Sequence, residues 1–371
     1  MIREPSEAAR RRLRRSLPLA VVCGIDPVLR DALTTDLLLD TADLVAVRYD
    51  TDPDRGGLRR LVLDRGGVLE DVPLELAHEC ISCAMREDAL PVIEALAADP
   101  RWSAALMVLP VAADPQAVCG TLGPQLRGAH IASTTAIVDT DAARADLLGD
   151  DTLAERGLRW TDGDERSVGE ALAAQLEYCD TVLADGEAGA PGAELVEHLR
   201  GHDQLLVHGV HEVSVDLLLE DVVHDPRAAA RRVDPRTVEP WGGPTVHGTW
   251  TLDLCSDRPF HPERFLEEIE RLGSGELRGR GRFWLPTRPH SICQWDGAGG
   301  HVSIGVIGAA GADLPTTRIV VTGIGRLDRE RVRRAFRASL LDDAEWERGL
   351  AFWLGRDDGM TPWLGEASAA S

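Results

Sequence analysis

The sequence contains no lysine: all 40 of its basic residues are arginine, set against 62 acidic residues for a net charge of -22. So acidic a chain is not drawn electrostatically to naked nucleic acid or anionic lipid, which excludes DNA and membrane surfaces as general partners. Long apolar runs are missing too. No stretch approaches the roughly 20 apolar residues of a membrane-spanning helix, and the first residues carry arginines without the apolar core of a secretory leader. Cysteine is sparse and odd in number, seven residues without a disulfide-framework spacing, which fits a reducing compartment and a cytoplasmic location. What is present is a hydrophobic fraction of 44% over 371 residues. That is enough for proper cores in a chain longer than one core usually spans, so two domains are expected.

Positive charge gathers at Arg10-Arg11-Arg12-Leu13-Arg14-Arg15. Residues 1–16 read as a disordered, solvated tail, with contact to rRNA or another anion as the sharper alternative. Leu17 to Cys23, LPLAVVC, is nearly continuous in apolar residues and ends at Gly24, the pattern of a buried strand in a parallel sheet. A phosphate-binding loop after such a strand needs a second glycine for backbone approach and a lysine for the terminal phosphates. Here the stretch is Gly24-Ile25-Asp26-Pro27-Val28-Leu29-Arg30-Asp31. Pro27 removes an amide donor, and Asp26 and Asp31 repel phosphate. Gly24 and Arg30 are what is left of a phosphate site, and Arg30 reads first as a helix-surface side chain and second as a phosphate contact.

Helical periodicity over Leu29 to Leu39 is followed by strands at Asp43 to Tyr49 and Leu61 to Leu63. A helix over Ala89 to Ala98, strands at Ala104 to Val111 and Ile131 to Val138, a helix over Val168 to Tyr178 and a strand at Thr181 to Ala184 complete the series. Strands alternating with helices at this spacing imply a mainly parallel, three-layer α/β sheet over residues 17–224.

The densest chemistry lies in ELAHECISCAMREDALP, Glu75 to Pro91. Cys80 and Cys83 form a C-x-x-C pair at what reads as a helix start, a position that stabilises thiolate. His78 and Glu79 can complete a four-coordinate zinc site, because zinc accepts sulfur, imidazole nitrogen and carboxylate oxygen. An inert or a redox-active thiol pair is the alternative. The other five cysteines, Cys23, Cys119, Cys179, Cys255 and Cys293, stand singly and read as buried small hydrophobes.

Histidines gather further on: His198 and His202 at helical i, i+4 spacing, then His208, His211 and His224. They admit a second metal site, although solvated surface histidines are the commoner case. Residues 225–244, rich in proline and arginine, read as a linker. Residues 245–371 read as a small α+β domain. Its strands are expected over Val246 to Leu254, from Arg282-Phe283-Trp284-Leu285 onward, over His301 to Val306 and over Arg318 to Thr322, with helices over Pro262 to Leu272 and Asp328 to Leu340. Trp250, Trp284 and Trp295 are most simply core, an exposed docking patch being the alternative.

Four blocks in order, RPFHPERFLEEIERL, RGRGRFWLPTRP, WDGAGG and VVTGIGRLDRERVRRAF, resemble the C-terminal domain of the CobW family. ELAHECISCAMREDAL resembles the family's G-C-x-C-C metal motif, VLPVAADP its strand and loop E-T-S-G-L-A-D-P, and TTAIVDTD its strand ending in aspartate. The resemblance runs from about Leu17 to Trp346. It implies a P-loop NTPase-like domain followed by the smaller CobW C-terminal domain.

The departures bear on function. Members are P-loop GTPases of the metallochaperone type, yet here the P-loop lysine is gone, the acidic residue expected near Val108 or Leu109 is apolar, and N-K-x-D stands as Leu183-Ala184-Asp185-Gly186. Losing the lysine and the metal-associated carboxylate removes what neutralises charge in phosphoryl transfer. Ser82 replaces the middle cysteine of the metal motif, and Glu79 stands where glycine is usual. A member so altered is similar to the actinobacterial branch of ribosome hibernation factor-recruiting proteins. That similarity implies a zinc-linked adaptor which brings a hibernation-promoting factor to the small ribosomal subunit under zinc limitation, without GTP turnover. The alternatives are a CobW-type GTP-binding metallochaperone that inserts or allocates zinc to a client, and a zinc-storage protein without nucleotide.

Overall fold

The structure is a computed structural model that describes residues 16–52, 57–74, 81–161, 163–311 and 314–366, with residues 52 and 81–83 described by backbone alone. The basic tail ahead of Ser16 lies outside the described residues. The apolar runs become the centre of an eight-stranded sheet in the order β4-β3-β2-β5-β1-β6-β7-β8. Its strands are β1 (Leu17–Gly24), β2 (Leu44–Asp52), β3 (Gly57–Asp64), β4 (Gly67–Leu74), β5 (Ala104–Val108), β6 (Ala129–Asp139), β7 (Thr181–Asp185) and β8 (Leu205–His208). β1 pairs in parallel with β5 and β6, as do β2 with β5, β6 with β7 and β7 with β8; only the β2-β3-β4 meander is antiparallel.

Both faces of β1 are buried, which is why it reads as a continuous run rather than an alternation. Ala20 and Val22 pack with Leu33 and Leu37 of helix α1 (Pro27–Asp40). Leu19, Val21 and Cys23 alternate with them, point the other way and are equally buried, and Cys23 touches Cys179 just after the helix Val168–Tyr178. Helices therefore cover both faces, the three-layer arrangement expected.

Contacts divide the chain into two compact units that interleave along the sequence. The first takes in the chain up to Asp141 with Thr152–Ala188 and Arg200–Ala230, and the second takes Ala142–Asp151, Gly189–Leu199 and the chain from Arg231. Counting helices in chain order, α2 is Ile81–Ala98, α3 Pro115–Leu122 and α5 Val168–Tyr178, while α4 (Ala143–Leu148) and α6 (Pro191–Leu199) are assigned to the second unit. The stretch read as a linker holds helix α7 (Pro226–Val233).

Within the second unit the sheet is antiparallel throughout, in the order β12-β11-β10-β13-β9. It comprises β9 (Thr249–Ser256), β10 (Leu277–Phe283), β11 (Ser291–Ala298), β12 (His301–Ala309) and β13 (Thr317–Ile324), with α8 (Pro262–Gly273) and α9 (Arg326–Ser339). Leu252, Leu254, Ile319, Val321 and Trp295 meet Phe265, Leu272, Val332 and Phe336 in one core. Trp250, Trp284 and Trp295 are all buried, so the docking-patch alternative is overturned. Strand β10 ends where a strand was expected to begin, at Phe283. Its Arg-Gly alternation carries little apolar signal because glycine makes the room that the facing tryptophan fills: a Cβ on Gly279 would sit 3.1 Å from the Trp295 indole nitrogen.

The last described segment is held down by one buried and one half-buried ion pair. Arg288 donates from Nε to Asp358 Oδ2 (2.7 Å) and from Nη1 to the Gly365 carbonyl (2.7 Å), with both charged side chains under 5% exposed. Burial alone would raise the Asp358 pKa, but Arg288, the Met360 amide and Thr287 outweigh it and hold the carboxyl below its usual range. Arg264 binds Glu345 through both Nη atoms (2.6 and 2.7 Å) and, as the main cause, lowers its pKa from 4.5 to about 2.

Replacing Arg288 with methionine should therefore destabilise the protein by about 3 kcal/mol, because Asp358 is left buried without its cation. Urea denaturation of the full chain measures this. Because the folded-state pKa of Glu345 is depressed, its contribution is fully present above 4.5 and is lost as pH falls toward about 2. An R264M variant should show a shallower loss of stability across that interval than the parent.

Candidate functional site

The segment from Gly24 to Thr34 keeps the strand-turn-helix path of a phosphate-binding loop, but its donors are occupied. Asp26 is the N-cap of α1, in extended conformation (φ -90°, ψ 111°). Its Oδ1 accepts from the amides of Val28 (2.7 Å) and Leu29 (3.1 Å). The next amide, Arg30 N, donates to the Asp26 carbonyl (3.2 Å). Proline at the first helical position has no N–H. The amides that a helix N-terminus offers to an anion are thus satisfied by the chain's own carboxylate, which also repels phosphate. Asp114 closes α3 in the same way, accepting from Gln116 N and Ala117 N ahead of Pro115.

Arg30 is neither a helix-surface residue nor a hand for phosphate, which corrects both sequence readings. It is 2% exposed. Nη1 donates to the Leu109 carbonyl (2.7 Å) and Nη2 to Asp50 Oδ1 (2.6 Å). Asp50 also receives Arg48 Nε (2.8 Å), and Arg48 reaches Asp31 at 3.0 Å. Arg30 therefore ties α1 to the end of β2 and to the backbone beyond β5, where the family's acidic residue is absent. Past that point the chain turns through Ala112, the one non-glycine at positive φ (62°) among the described residues.

Asp185, what remains of N-K-x-D, is also engaged. Its Oδ1 accepts from Val210 N (2.9 Å), and its carbonyl accepts from Thr140 N and Thr140 Oγ1 (2.8 Å each). Gly186 follows at φ 123°, where a Cβ would run into Thr140 Oγ1. These residues do not fit GTP in the P-loop manner: phosphate donors, lysine and guanine-reading carboxylate are absent or committed.

His78, Glu79 and Cys80 lie outside the described residues, and Cys83 is placed by its backbone alone, in the first turn of α2. That turn is where a helix favours thiolate. The helix itself is anchored one turn further on. Asp88 accepts from Tyr49 Oη (2.7 Å) and Arg60 Nη1 (2.5 Å), and Arg60 Nη2 reaches Glu70 on β4 (3.1 Å). Burial, with the Asp88 charge second, pushes the Tyr49 phenol well above its usual pKa, so it stays a neutral donor. Met85, Ala89 and Ile93 bury the inward face of the helix. Sequence reading missed Tyr49, Arg60 and Asp88, although a charge in α2 one helical turn from buried Met85 was the available signal.

The histidines do not converge, and no group of three or more metal-ligating side chains occurs among the described residues. Helix α6 ends at Leu199, so the i, i+4 spacing of His198 and His202 is not realised on one helix. His198 is buried, its ring bonded to Thr251 Oγ1 and to the Pro244 carbonyl (2.8 Å each). Glu194, one turn earlier, accepts from the amides of His247 (3.0 Å) and Thr249 (3.0 Å). His211 pairs with Asp36 (2.5 Å) and His224 with Asp180 (2.8 Å).

Cys23, Cys119, Cys179 and Cys293 are buried as expected, but Cys255 is exposed and donates to Asp253 (3.1 Å). Burial pushes the thiols of Cys23 and Cys119 well up, and that of Cys293 to about 12. None of these three is a ready thiolate.

Changing Arg30 to methionine should cost about 2–4 kcal/mol, since Asp50 and the Leu109 carbonyl lose a buried charged donor. An unchanged denaturation midpoint would show that Arg30 ties nothing together.

Residues 249–340 match the cobalamin synthesis protein CobW C-terminal domain. The chain is 27% identical over 331 residues to Zinc chaperone Rv0106 of Mycobacterium tuberculosis, covering 83% of this chain and 78% of that one. It is 24% identical over 270 residues to Zinc-regulated GTPase metalloprotein activator 1 of Dictyostelium discoideum, covering 65% of this chain and 55% of the other. Among solved structures, Zn(II)-bound YjiA GTPase from E. coli aligns with 88% of this chain and 99% of its own, at 14% identity and a TM-score of 0.36. The match to the CobW C-terminal domain thus covers residues 249–340, and the similarity to the two sequence relatives extends beyond it.

Proposed function

We propose that this protein is a zinc metallochaperone that carries zinc as cargo on Cys80 and Cys83, completed by His78 or Glu79, and passes it to a client without P-loop GTP turnover. The observation that carries this reading is similarity over 83% of the chain to a protein named a zinc chaperone. The C-x-x-C motif at the start of an anchored helix supports it. The anchor matters because Asp88, Tyr49 and Arg60 fix the direction of α2 independently of the metal. Two sulfurs then supply the soft ligands, and Ser82 leaves the remaining positions to imidazole, carboxylate or water. Such a site binds loosely and exchanges readily, which suits delivery better than storage.

The closed turn at Asp26 and the committed Arg30 argue against nucleotide as the source of release. The relative from Dictyostelium discoideum carries GTPase in its name, so GTP turnover by this chain is the sharpest contrast. No described residue favours the narrower reading, recruitment of a hibernation-promoting factor to the small ribosomal subunit, over delivery to another client. Sedimentation of ribosomes from zinc-limited and zinc-replete cells separates the two.

Competition titration against a chromogenic zinc chelator tests the proposal. The parent should take up one zinc, the C80S/C83S double variant should take up none, and both should unfold at the same temperature. GTP hydrolysis should stay at background for both. Zinc uptake by the double variant equal to the parent's would remove the cysteines from the site, and turnover above background would overturn the nucleotide-free reading.

A further inference from the structure

Helix α9 (Arg326–Ser339) carries six arginines against Asp328 and Glu330, a local charge of +4 (6 − 2) within a chain of net charge -22. Val332, Ala335, Phe336 and Ser339 are buried on its inner side. Two of its arginines are committed: Arg331 to Asp328 and the carbonyls of Arg271 and Ser274, and Arg333 to Glu330. Arg334 makes a single bond, from Nε to the Glu330 carbonyl (3.3 Å). Arg326, Arg329 and Arg337 are exposed and have no hydrogen bond or ion pair among the described residues. With Arg333 they recur at three- and four-residue steps, which places them along one flank of the helix over about 16 Å. Leu327, 87% exposed, lies about 100° round the helix from Arg326, on the adjoining side next to Arg334.

We infer that this flank docks an acidic polypeptide segment, helical in form, with carboxylates at the same three- and four-residue steps and an apolar residue that covers Leu327. Charge complementarity is the first argument. Guanidinium forks pair bidentately with carboxylates, and every cation on this helix is an arginine. The exposed leucine on the adjoining side, next to Arg334, is the second, since an apolar anchor there has a use against a protein side chain and none against a phosphate backbone. The flank also offers no aromatic ring, its one aromatic residue, Phe336, being buried; single-stranded nucleic acid is held by stacking on such rings. A long polyanion would run beyond the helix onto an acidic chain and be repelled, whereas a short segment is engaged within a Debye length of about 8–10 Å. The inference does not depend on zinc: it names the chemistry of a partner, client or otherwise, for the second unit.

The test uses the full chain and a fluorescein-labelled helical peptide of glutamates with one leucine per turn, read by anisotropy at low and at physiological ionic strength, with labelled oligouridylate RNA as the second probe. The parent should bind the peptide saturably and more tightly than the RNA. R329E/R337E should weaken peptide binding by about ten-fold or more, as should the charge-neutral R329Q/R337Q in smaller degree. R127E, the same change on an exposed arginine of the first unit, should leave it within about two-fold. L327S should weaken the peptide and not the RNA. Failure of the parent to bind the peptide, equal loss in R127E, or tighter RNA binding abolished by the same arginine changes would overturn the inference, the last in favour of a nucleic-acid surface.

Discussion

One carboxylate, that of Asp26, settles what the end of β1 can do. A helix N-terminus projects amides that need a partner and a partial positive charge that prefers an anion. In a nucleotide-binding protein those amides wait for phosphate. Here Asp26 takes the amides of Val28 and Leu29, and Pro27 removes another donor. The same geometry that would have bound a ligand now stabilises the helix, an N-cap contributing about 1 kcal/mol. Nothing about the path of the chain had to change, because strand, turn and helix are set by burial of Leu19 to Cys23 on one side and of Leu33 and Leu37 on the other.

Arg30 completes the conversion. A buried guanidinium is costly unless its donors are met. Its two Nη groups donate to the Leu109 carbonyl and to Asp50, the latter shared with Arg48, while its buried Nε has no partner among the described residues. In a GTPase the region past β5 is held by metal and phosphate; in this chain an internal ion-pair cluster holds it. A residue that reads as a leftover of ligand binding has become a structural tie. The second unit uses the same device, with Arg264 and Arg288 securing residues 341–366, beyond the CobW C-terminal match.

Much of this architecture was legible. Doubly buried parallel strands read as apolar runs, and the helices α1, α5, α8 and α9 read from their periodicity. What escaped had physical causes. Strand β4 lies at a sheet edge and is exposed along most of its length, so GVLEDVPL carries no clean alternation. Strand β8 is four residues long. Strand β10 exchanges apolar side chains for glycines, of which Gly279 seats Trp295 and Gly281 lets the β13 backbone approach. The fate of Arg30 could not be read, since burial of a charge depends on acceptors from β2 and from beyond β5, far away in sequence. His198 misled for the same reason: its partners, Thr251 and Pro244, lie some fifty residues away.

If zinc is cargo and no nucleotide is turned over, the direction of transfer must come from relative affinity alone. A ligand-exchange reaction runs toward the site with the lower dissociation constant, and each factor of ten is about 1.4 kcal/mol. A donor with two thiolates and a mixed remainder is easily outbid by a client offering three or four soft ligands. Ser82 then has a consequence beyond losing a ligand: it sets the donor's affinity low enough for transfer to run downhill without an energy source. The anchored helix complements this, because Asp88 holds the backbone of α2 through Tyr49 and Arg60, contacts that involve no metal.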